Sequence, residues 1–268
     1  MDENVYSQNF DLKDQVIVIT GSSGKLGSQY AKVLSMAGAN VVLADINLIK
    51  SEEIAAEIRE KYNSEPICCK VNLSNEQSIK KLVEKVLKKF HKIDTLINNA
   101  AFDPQTKEFH TNFEKFKTSD WDKVLDVNLK GVFLCCREFG KQMIKQKEGN
   151  IVNISSIYGL VGADQRIYGK SRINSSIAYS ASKSAIINLT RYLASYWHDK
   201  NIRVNTFTLG GVYANQSKEF VKKYSERTML GRMAKDNEYN GAMIFLCSKS
   251  SSYMTGSNLV IDGGWTAW

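Results

Sequence analysis

The chain predicts an α/β fold, a single domain built on a doubly wound parallel sheet of about seven strands. Three observations predict it. Short apolar, β-branched runs alternate with amphipathic helical stretches along the chain. The first run, Gln15 to Thr20, ends in a glycine turn, Gly21-Ser22-Ser23-Gly24-Lys25-Leu26-Gly27, which opens a helix. The 268 residues hold two prolines, Pro66 and Pro104, and no linker, repeat or low-complexity tract, which assigns residues 1–268 to one domain.

Each element follows in order. After the glycine turn, Leu26, Tyr30, Val33, Leu34 and Ala37 mark one helical face up to Gly38. A pyrophosphate needs close approach of backbone at a helix N-terminus; glycines remove the Cβ obstruction there and free N–H groups meet the anion. Gly21, Ser23, Gly24, Lys25, Leu26 and Gly27 are therefore candidate cofactor contacts. The second strand, Asn40 to Asp45, ends in an acidic residue 18 positions after Gly27, close to the ~20 expected of a ribose-binding carboxylate. Asp45 would accept hydrogen bonds from both ribose hydroxyls and repel a 2′-phosphate, which favours NAD over NADP. Lys25 argues for the phosphate, but Ile46 and Asn47 bring no arginine to help it.

A helix from about Leu48 to Tyr62 leads to a third strand, Ile67 to Asn72. Ser74 with Gln77 reads as a capping box for the next helix. A fourth strand, Asp94 to Asn98, closes on Asn98-Asn99-Ala100-Ala101. From Ser119 one long helix carries Trp121, Val124, Leu125, Asn128, Leu129, Val132 and Phe133 on one side, with Asn128 polar among apolar neighbours. The fifth strand, Asn150 to Ser155, ends at Ser155-Ser156. Arg203 to Thr208 forms the sixth, Gly210-Gly211 opens an amphipathic flap over about 211–233, and helix Asn237 to Cys247 and strand Leu259 to Ile261 complete the sheet.

The helix between the fifth and sixth strands holds Tyr179 and Lys183, four residues apart and so on one face. A phenol ordinarily loses its proton near pH ~10. An ammonium at ~4 Å, in an effective dielectric of ~20, attracts the phenolate by about 4 kcal/mol, or roughly 3 pKa units, which brings acid/base chemistry toward neutral pH. Alone, such a pair is more often a half-buried ring beside a solvated ammonium. Its place at the C-terminal edge of a dinucleotide-binding sheet gives it chemical meaning.

Composition narrows the partners. Hydrophobic residues, 43% of the chain, supply a substantial core. The five cysteines, Cys68, Cys69, Cys135, Cys136 and Cys247, are odd in number and lack Cys-x-x-Cys spacing, so neither a disulfide framework nor a metal site is expected. No basic-then-apolar leader opens the sequence and no apolar run reaches membrane-spanning length, which predicts a soluble, cytoplasmic protein with no membrane partner. The net charge of +8 raises nucleic acid, an acidic protein or a phosphorylated substrate as partners. Much of it, however, lies on Lys80, Lys81, Lys85, Lys88, Lys89 and Lys92, interleaved with Ile79, Leu82, Val83, Val86, Leu87 and Phe90, as on the solvated face of an amphipathic helix. No nucleic-acid-binding motif accompanies them, and no nucleic-acid partner is expected.

With the glycine turn, Asp45, Asn98-Asn99-Ala100, Asn128, Ser156 and Tyr179-x-x-x-Lys183 in that order, the chain from about Leu12 to Trp265 resembles the short-chain dehydrogenase/reductase family. The resemblance implies a single-domain Rossmann fold, an NAD(P)-dependent oxidoreductase and a homotetramer or homodimer. It implies Tyr179 as acid/base and Lys183 as the residue that lowers its pKa and binds the nicotinamide ribose. Ser156 corresponds to the serine that holds the substrate oxygen, and Asn128 to the asparagine that supports a proton-relay water. Asn72, Leu73, Asn99, Ala100, Gly210 and Val212 join the glycine turn and Asp45 as cofactor-facing positions, with Asn72 in place of a usual aspartate.

The chain departs from the family at Lys25, where a glycine is usual, at Ala101 and Leu209, and at Ala214 and Asn215, where a threonine commonly contacts the carboxamide. The largest departure is the interval from Ser156 to Tyr179, lengthened by a segment from Leu160 to Ile177 that contains Arg166, Lys170 and Arg172. Arg166 and Arg172 are candidate ligands for an anionic substrate group, since guanidinium forks suit phosphate or carboxylate; the alternative of equal weight is a solvated surface loop. The tail from Tyr192 to Trp268 is similar to bacterial dehydrogenases of flagellin-modification and surface-sugar pathways, which implies a small sugar-derived substrate. The main expectation is interconversion of an alcohol and a ketone on a sugar phosphate or nucleotide sugar with NAD. The alternatives are an NADPH-dependent 3-oxoacyl carrier-protein reductase and a non-enzymatic dinucleotide sensor.

Overall fold

Strands form here where β-branched residues can be sealed on both faces. Val16–Thr20 (β1) is buried along its whole length. A computed structural model describes residues 9–62, 64–104, 109, 112–171 and 175–268 of the chain. The glycine turn carries β1 into Lys25–Met36 (α1), and Asn40–Asp45 (β2), Leu48–Tyr62 (α2), Ile67–Lys70 (β3), Glu76–Phe90 (α3) and Thr95–Asn98 (β4) repeat the alternation. In α3, Ile79, Leu82 and Val86 are buried while Lys81, Lys88 and Lys89 face solvent. Its cap is Asn75, whose side chain accepts from the Ser78 amide, and not the expected Ser74–Gln77 box.

The long helix expected from Ser119 is divided. Thr118–Leu125 (α4) widens into a π-helical turn at Asp126–Gly131 before Val132–Gln146 (α5) resumes the α-helical pitch. Gly149–Ser156 (β5), Ile177–Tyr196 (α6), Ile202–Leu209 (β6), Lys218–Ser225 (α7), Asn240–Cys247 (α8) and Asn258–Ile261 (β7) follow. The sheet runs β3-β2-β1-β4-β5-β6-β7, all parallel, as a Rossmann-type doubly wound sheet. Alternate side chains feed two apolar layers: Val16, Val18 and Leu96 pack with α3, α5 and α6, whereas Ile17, Ile19 and Ile97 pack with α1, α2 and α8.

The strand order reverses between β1 and β4, which leaves a crevice above their C-terminal ends. Register aligns Asn98 with Asn153 and Ser156 with Leu209, so the ends of β4, β5 and β6 form one continuous rim. The inserted segment folds as 3-10 turns over Gln165–Ser171. It packs on α7 through a third apolar cluster that contains Ile167, Tyr224, Met233 and Trp265. Insertion and flap thus form one wall beside the rim. No described helix is long and apolar enough to cross a membrane.

Candidate active site

The first half of the crevice is built by the glycine turn. Gly21 has φ +65°, and a Cβ there would stand 2.6 Å from the Ala100 Cα, so only glycine lets the turn close against the end of β4. Gly24 is the N-cap of α1 and no side chain caps the helix, which leaves its first-turn amides free for an anion. At the tip of β2, Asp45 is 7% exposed; its carboxylate accepts from the Ser23 and Asn47 amides, each at 2.9 Å. These residues border a cleft of about 460 Å³ together with Lys25, Leu26, Gly27, Asn72, Leu73, Asn99 and Ala100. Uncapped helix amides and a fixed carboxylate in the same cleft suit the pyrophosphate and ribose of a dinucleotide.

Several side chains in the cleft stiffen it. The Asn99 amide donates to the carbonyls of Thr20 and Gly21, each at 3.0 Å, so its side chain holds the glycine turn while its backbone borders the cleft. Asn72 Oδ1 accepts from the Ser74 amide at 3.0 Å. Lys25 Nζ donates to the Tyr213 carbonyl at 3.1 Å, tying the turn to the flap.

The second half, a cavity of about 380 Å³, is lined by Ser156, Tyr179, Lys183, Gly210 and Val212 with Asn99 and Asp103. Ser176 caps α6 through its hydroxyl, and the helical pitch then sets Tyr179 and Lys183 one turn apart. Ser156 ends β5 and lines the cavity beside Tyr179, and its hydroxyl favours the ionised form of the phenol. Lys183 Nζ donates to the Ile154 carbonyl at 2.9 Å and lies 5.6 Å from the centroid of the Tyr179 ring.

Burial lowers the Lys183 pKa to about 8, against an upward pull from the Asp103 carboxylate. Burial also raises the Tyr179 phenol above its ordinary value; the Asp103 charge adds to the rise, and the Ser156 hydrogen bond opposes it. The expectation that Lys183 lowers the Tyr179 pKa is not met in this state of the chain. Its ammonium donates to the backbone of β5, and burial is the largest influence on each group.

Asn128 does not line either cavity. It is fully buried in the π-helical turn, where its amide donates to the Phe102 carbonyl at 3.1 Å and its oxygen accepts from the Phe102 amide at 2.6 Å. The side chain therefore clamps the backbone just before Asp103. Arg166 also lies off the cavity. Its guanidinium is 83% exposed and forms a fork on Asp164, with bonds of 2.8 and 2.9 Å, because the carboxylate two residues earlier reaches it within the same turn. Arg172 lies outside the described residues. A further cavity of about 560 Å³, beyond Tyr158, is walled by Phe113, Phe116, Leu160 and Ile177, and neither Tyr179 nor Lys183 lines it.

Sequence reasoning missed Asp103, Tyr158, Tyr168, Ser175 and Gln216, all of which line the Tyr179 cavity. Tyr158 and Tyr168 meet through their hydroxyls at 3.3 Å, so among the described residues the insertion enters the cavity with a phenol. Asp103 carried one signal: it is the first ionisable residue after β4, on the rim where the other site residues gather.

A family model described as Enoyl-(Acyl carrier protein) reductase matches residues 22–266. The chain is 33% identical to a 3-oxoacyl-[acyl-carrier-protein] reductase of Aquifex aeolicus, over 94% of this chain and 98% of the relative. It is 33% identical to an NAD-dependent glycerol dehydrogenase of Listeria innocua, over 97% of both chains. It is 29% identical to a post-translational flagellin modification protein A of Campylobacter coli, over 95% of this chain and 99% of the relative. Among solved structures, a gluconate 5-dehydrogenase from Burkholderia cenocepacia in complex with NADP and tartrate superposes with a TM-score of 0.87 at 26% identity, covering 98% of this chain and 99% of the other.

Proposed function

The chain belongs to the short-chain dehydrogenase/reductase family of oxidoreductases, and on that premise we propose that it interconverts an alcohol and a ketone on a polyhydroxylated, sugar-derived substrate with NAD. The observation that carries this reading is the cavity that gathers Ser156, Tyr179 and Lys183 beside the glycine-turn cleft, with Leu26, Asn99 and Ala101 lining both. NAD, when bound, supplies the hydride acceptor at the substrate carbon. In the oxidation direction Tyr179, as its phenolate, would accept the substrate hydroxyl proton, and in reduction the phenol would return one to the carbonyl oxygen. Ser156 holds that oxygen through its hydroxyl. Lys183, on the same helical face, supplies positive charge beside the phenol.

Two observations support NAD over NADP. Asp45 sets a fixed negative charge where a 2′-phosphate would lie. Lys25, the cation nearest that position in the turn, is engaged with the Tyr213 carbonyl. The NAD-dependent glycerol dehydrogenase relative agrees with this reading, and the likeness to a flagellin modification protein supports a sugar-derived substrate. Arg166, held by Asp164, gives no support for a phosphate at the insertion. A reductase acting on 3-oxoacyl carrier protein is the second reading, favoured by the Aquifex relative.

Initial rates with NAD and NADP against polyols, sugar phosphates, nucleotide sugars and a 3-oxoacyl thioester test the proposal. NAD-linked oxidation of a polyhydroxylated alcohol is the expected result. Activity confined to NADPH and the thioester refutes it.

A further inference from the structure

The backbone that follows β6 lies between two cavities. Gly210 and Gly211 line the 380 Å³ cavity of Tyr179 and also a smaller one of about 140 Å³, which Arg232, Glu238 and Tyr239 line as well. With space on both sides, close packing does not fix this stretch; specific contacts do. The Tyr239 hydroxyl donates to the Gly210 carbonyl at 3.0 Å, and the Gly211 amide donates to the hydroxyl of Tyr224, a buried residue of α7. The Tyr224 ring is itself held. It stacks on the buried Trp265 at 4.3 Å between centroids, and the Asp262 carboxylate fixes the turn that carries Trp265 by accepting from the Gly264 and Thr266 amides, each at 2.9 Å. A Cβ at Gly211 would stand 2.8 Å from the Tyr224 ring and hydroxyl, although the Gly211 backbone is outside the left-handed region. Glycine is needed there for the approach of the phenol, not for the course of the chain.

We propose that Tyr224 is a positioning residue: through Gly211 it holds the backbone of Gly210, Gly211 and Val212 in place for the reacting end of the dinucleotide, and so makes the flap and the C-terminal turn part of the cofactor site. The inference rests on the dinucleotide reading given above. Tyr224 lines the Tyr179 cavity and not the cleft of the glycine turn and Asp45, so its influence falls on one half of the cofactor. Loss of the hydroxyl leaves the Gly211 amide without its partner and gives the loop room to withdraw toward the smaller cavity. Burial pushes the Tyr224 phenol up to about 12, so the contact is a hydrogen bond between neutral groups and its loss changes binding by a modest factor.

The test compares calorimetric dissociation constants for NADH and for ADP-ribose, which lacks the nicotinamide, in the wild type and Tyr224→Phe, with thermal melts as a control of folding. Tyr224→Phe keeps the ring on Trp265 and removes only the hydroxyl. The NADH dissociation constant rises roughly threefold to tenfold, while that of ADP-ribose changes by less than about twofold. Equal changes for the two ligands, or none, in a folded Tyr224→Phe protein overturn this inference alone, since Tyr224 would then support only the fold. A raised KM for the alcohol with both dissociation constants unaltered overturns it as well, because Tyr224 would then touch the substrate. A wild type that binds neither ligand overturns it together with the dinucleotide reading. Should Tyr224→Phe fail to fold, Trp265→Phe, which loosens the stack on Tyr224, takes its place; the same split between the two ligands is expected, and equal or absent shifts overturn the proposal.

Discussion

Lys183 stands one helical turn beyond Tyr179, yet its ammonium donates to the Ile154 carbonyl at 2.9 Å and lies 5.6 Å from the centroid of the Tyr179 ring. The pair is therefore a half-buried phenol and a buried ammonium, the latter held by the backbone of β5. Each of the two pays its own desolvation, and that cost shapes how the enzyme responds to pH.

Lys183 titrates at about 8 in the folded chain against an ordinary 10.5. Between those values the unfolded chain binds the proton and the folded chain does not, so folding stability from this group rises with pH across the window. Tyr179, raised above its ordinary value of 10.0, opposes the trend only above that pH. Relative to Lys183→Met, the wild type should gain roughly 2 kcal/mol of unfolding free energy from pH 8 to pH 10. Urea melts of both proteins measure it, and a difference that stays flat or falls contradicts the buried-ammonium account.

Tyr179→Phe removes the only atom of that side chain able to carry the proton, and keeps the ring. Turnover should fall by about 10²- to 10⁴-fold or more, while the NADH dissociation constant changes little. Steady-state rates and fluorescence titration separate the two effects. A Tyr179→Phe enzyme with wild-type kcat sinks the assignment of the acid/base.

Asp45→Ser deletes the charge held by the Ser23 and Asn47 amides. The NADP-to-NAD ratio of kcat/KM should rise by roughly tenfold to a hundredfold, since a charge opposing the 2′-phosphate is lost. Parallel assays with both nucleotides check this. An unaltered ratio shows that Asp45 does not choose the cofactor.

Asn128→Ala leaves the Phe102 amide and carbonyl without their partner in a partly buried setting. Unpaired polar groups of this kind, where buried, cost about 1–3 kcal/mol each. The melting temperature should drop and KM for the alcohol should rise, because Phe102 anchors the segment that presents Asp103, whereas NADH binding should stay near wild type. Thermal melts and KM values with NADH titration test it; loss of NADH affinity in step with KM would point to a role at the cofactor instead.

Much of the molecule was legible in the sequence because it is written in local patterns. Alternating β-branched runs and amphipathic stretches specify strands and helices by burial periodicity, and their parallel order follows from the alternation. Gly21, Gly24 and Gly27 announce a close-approach turn, and Asp45 at a strand end lies in the same cleft. The spacing of Tyr179 and Lys183 requires only a helical pitch.

Tertiary structure decided what depends on contacts distant in the chain. Asn128 turns onto Phe102 because a π-helical turn shifts its register, and no pattern of apolar residues specifies such a turn. Arg166 is turned from the cavity by a neighbouring Asp164, while the same insertion contributes Tyr168 through packing against Phe220, at 5.3 Å between ring centroids. The titration of Tyr179 and Lys183 is set by desolvation, which exists only once the sheet, the insertion and the flap enclose them. The sequence by itself therefore determined the framework and the chemical groups, which are local properties of the chain. Only the folded structure decided which groups line the cavity around Tyr179, because burial and through-space electrostatics are properties of the assembled cavity.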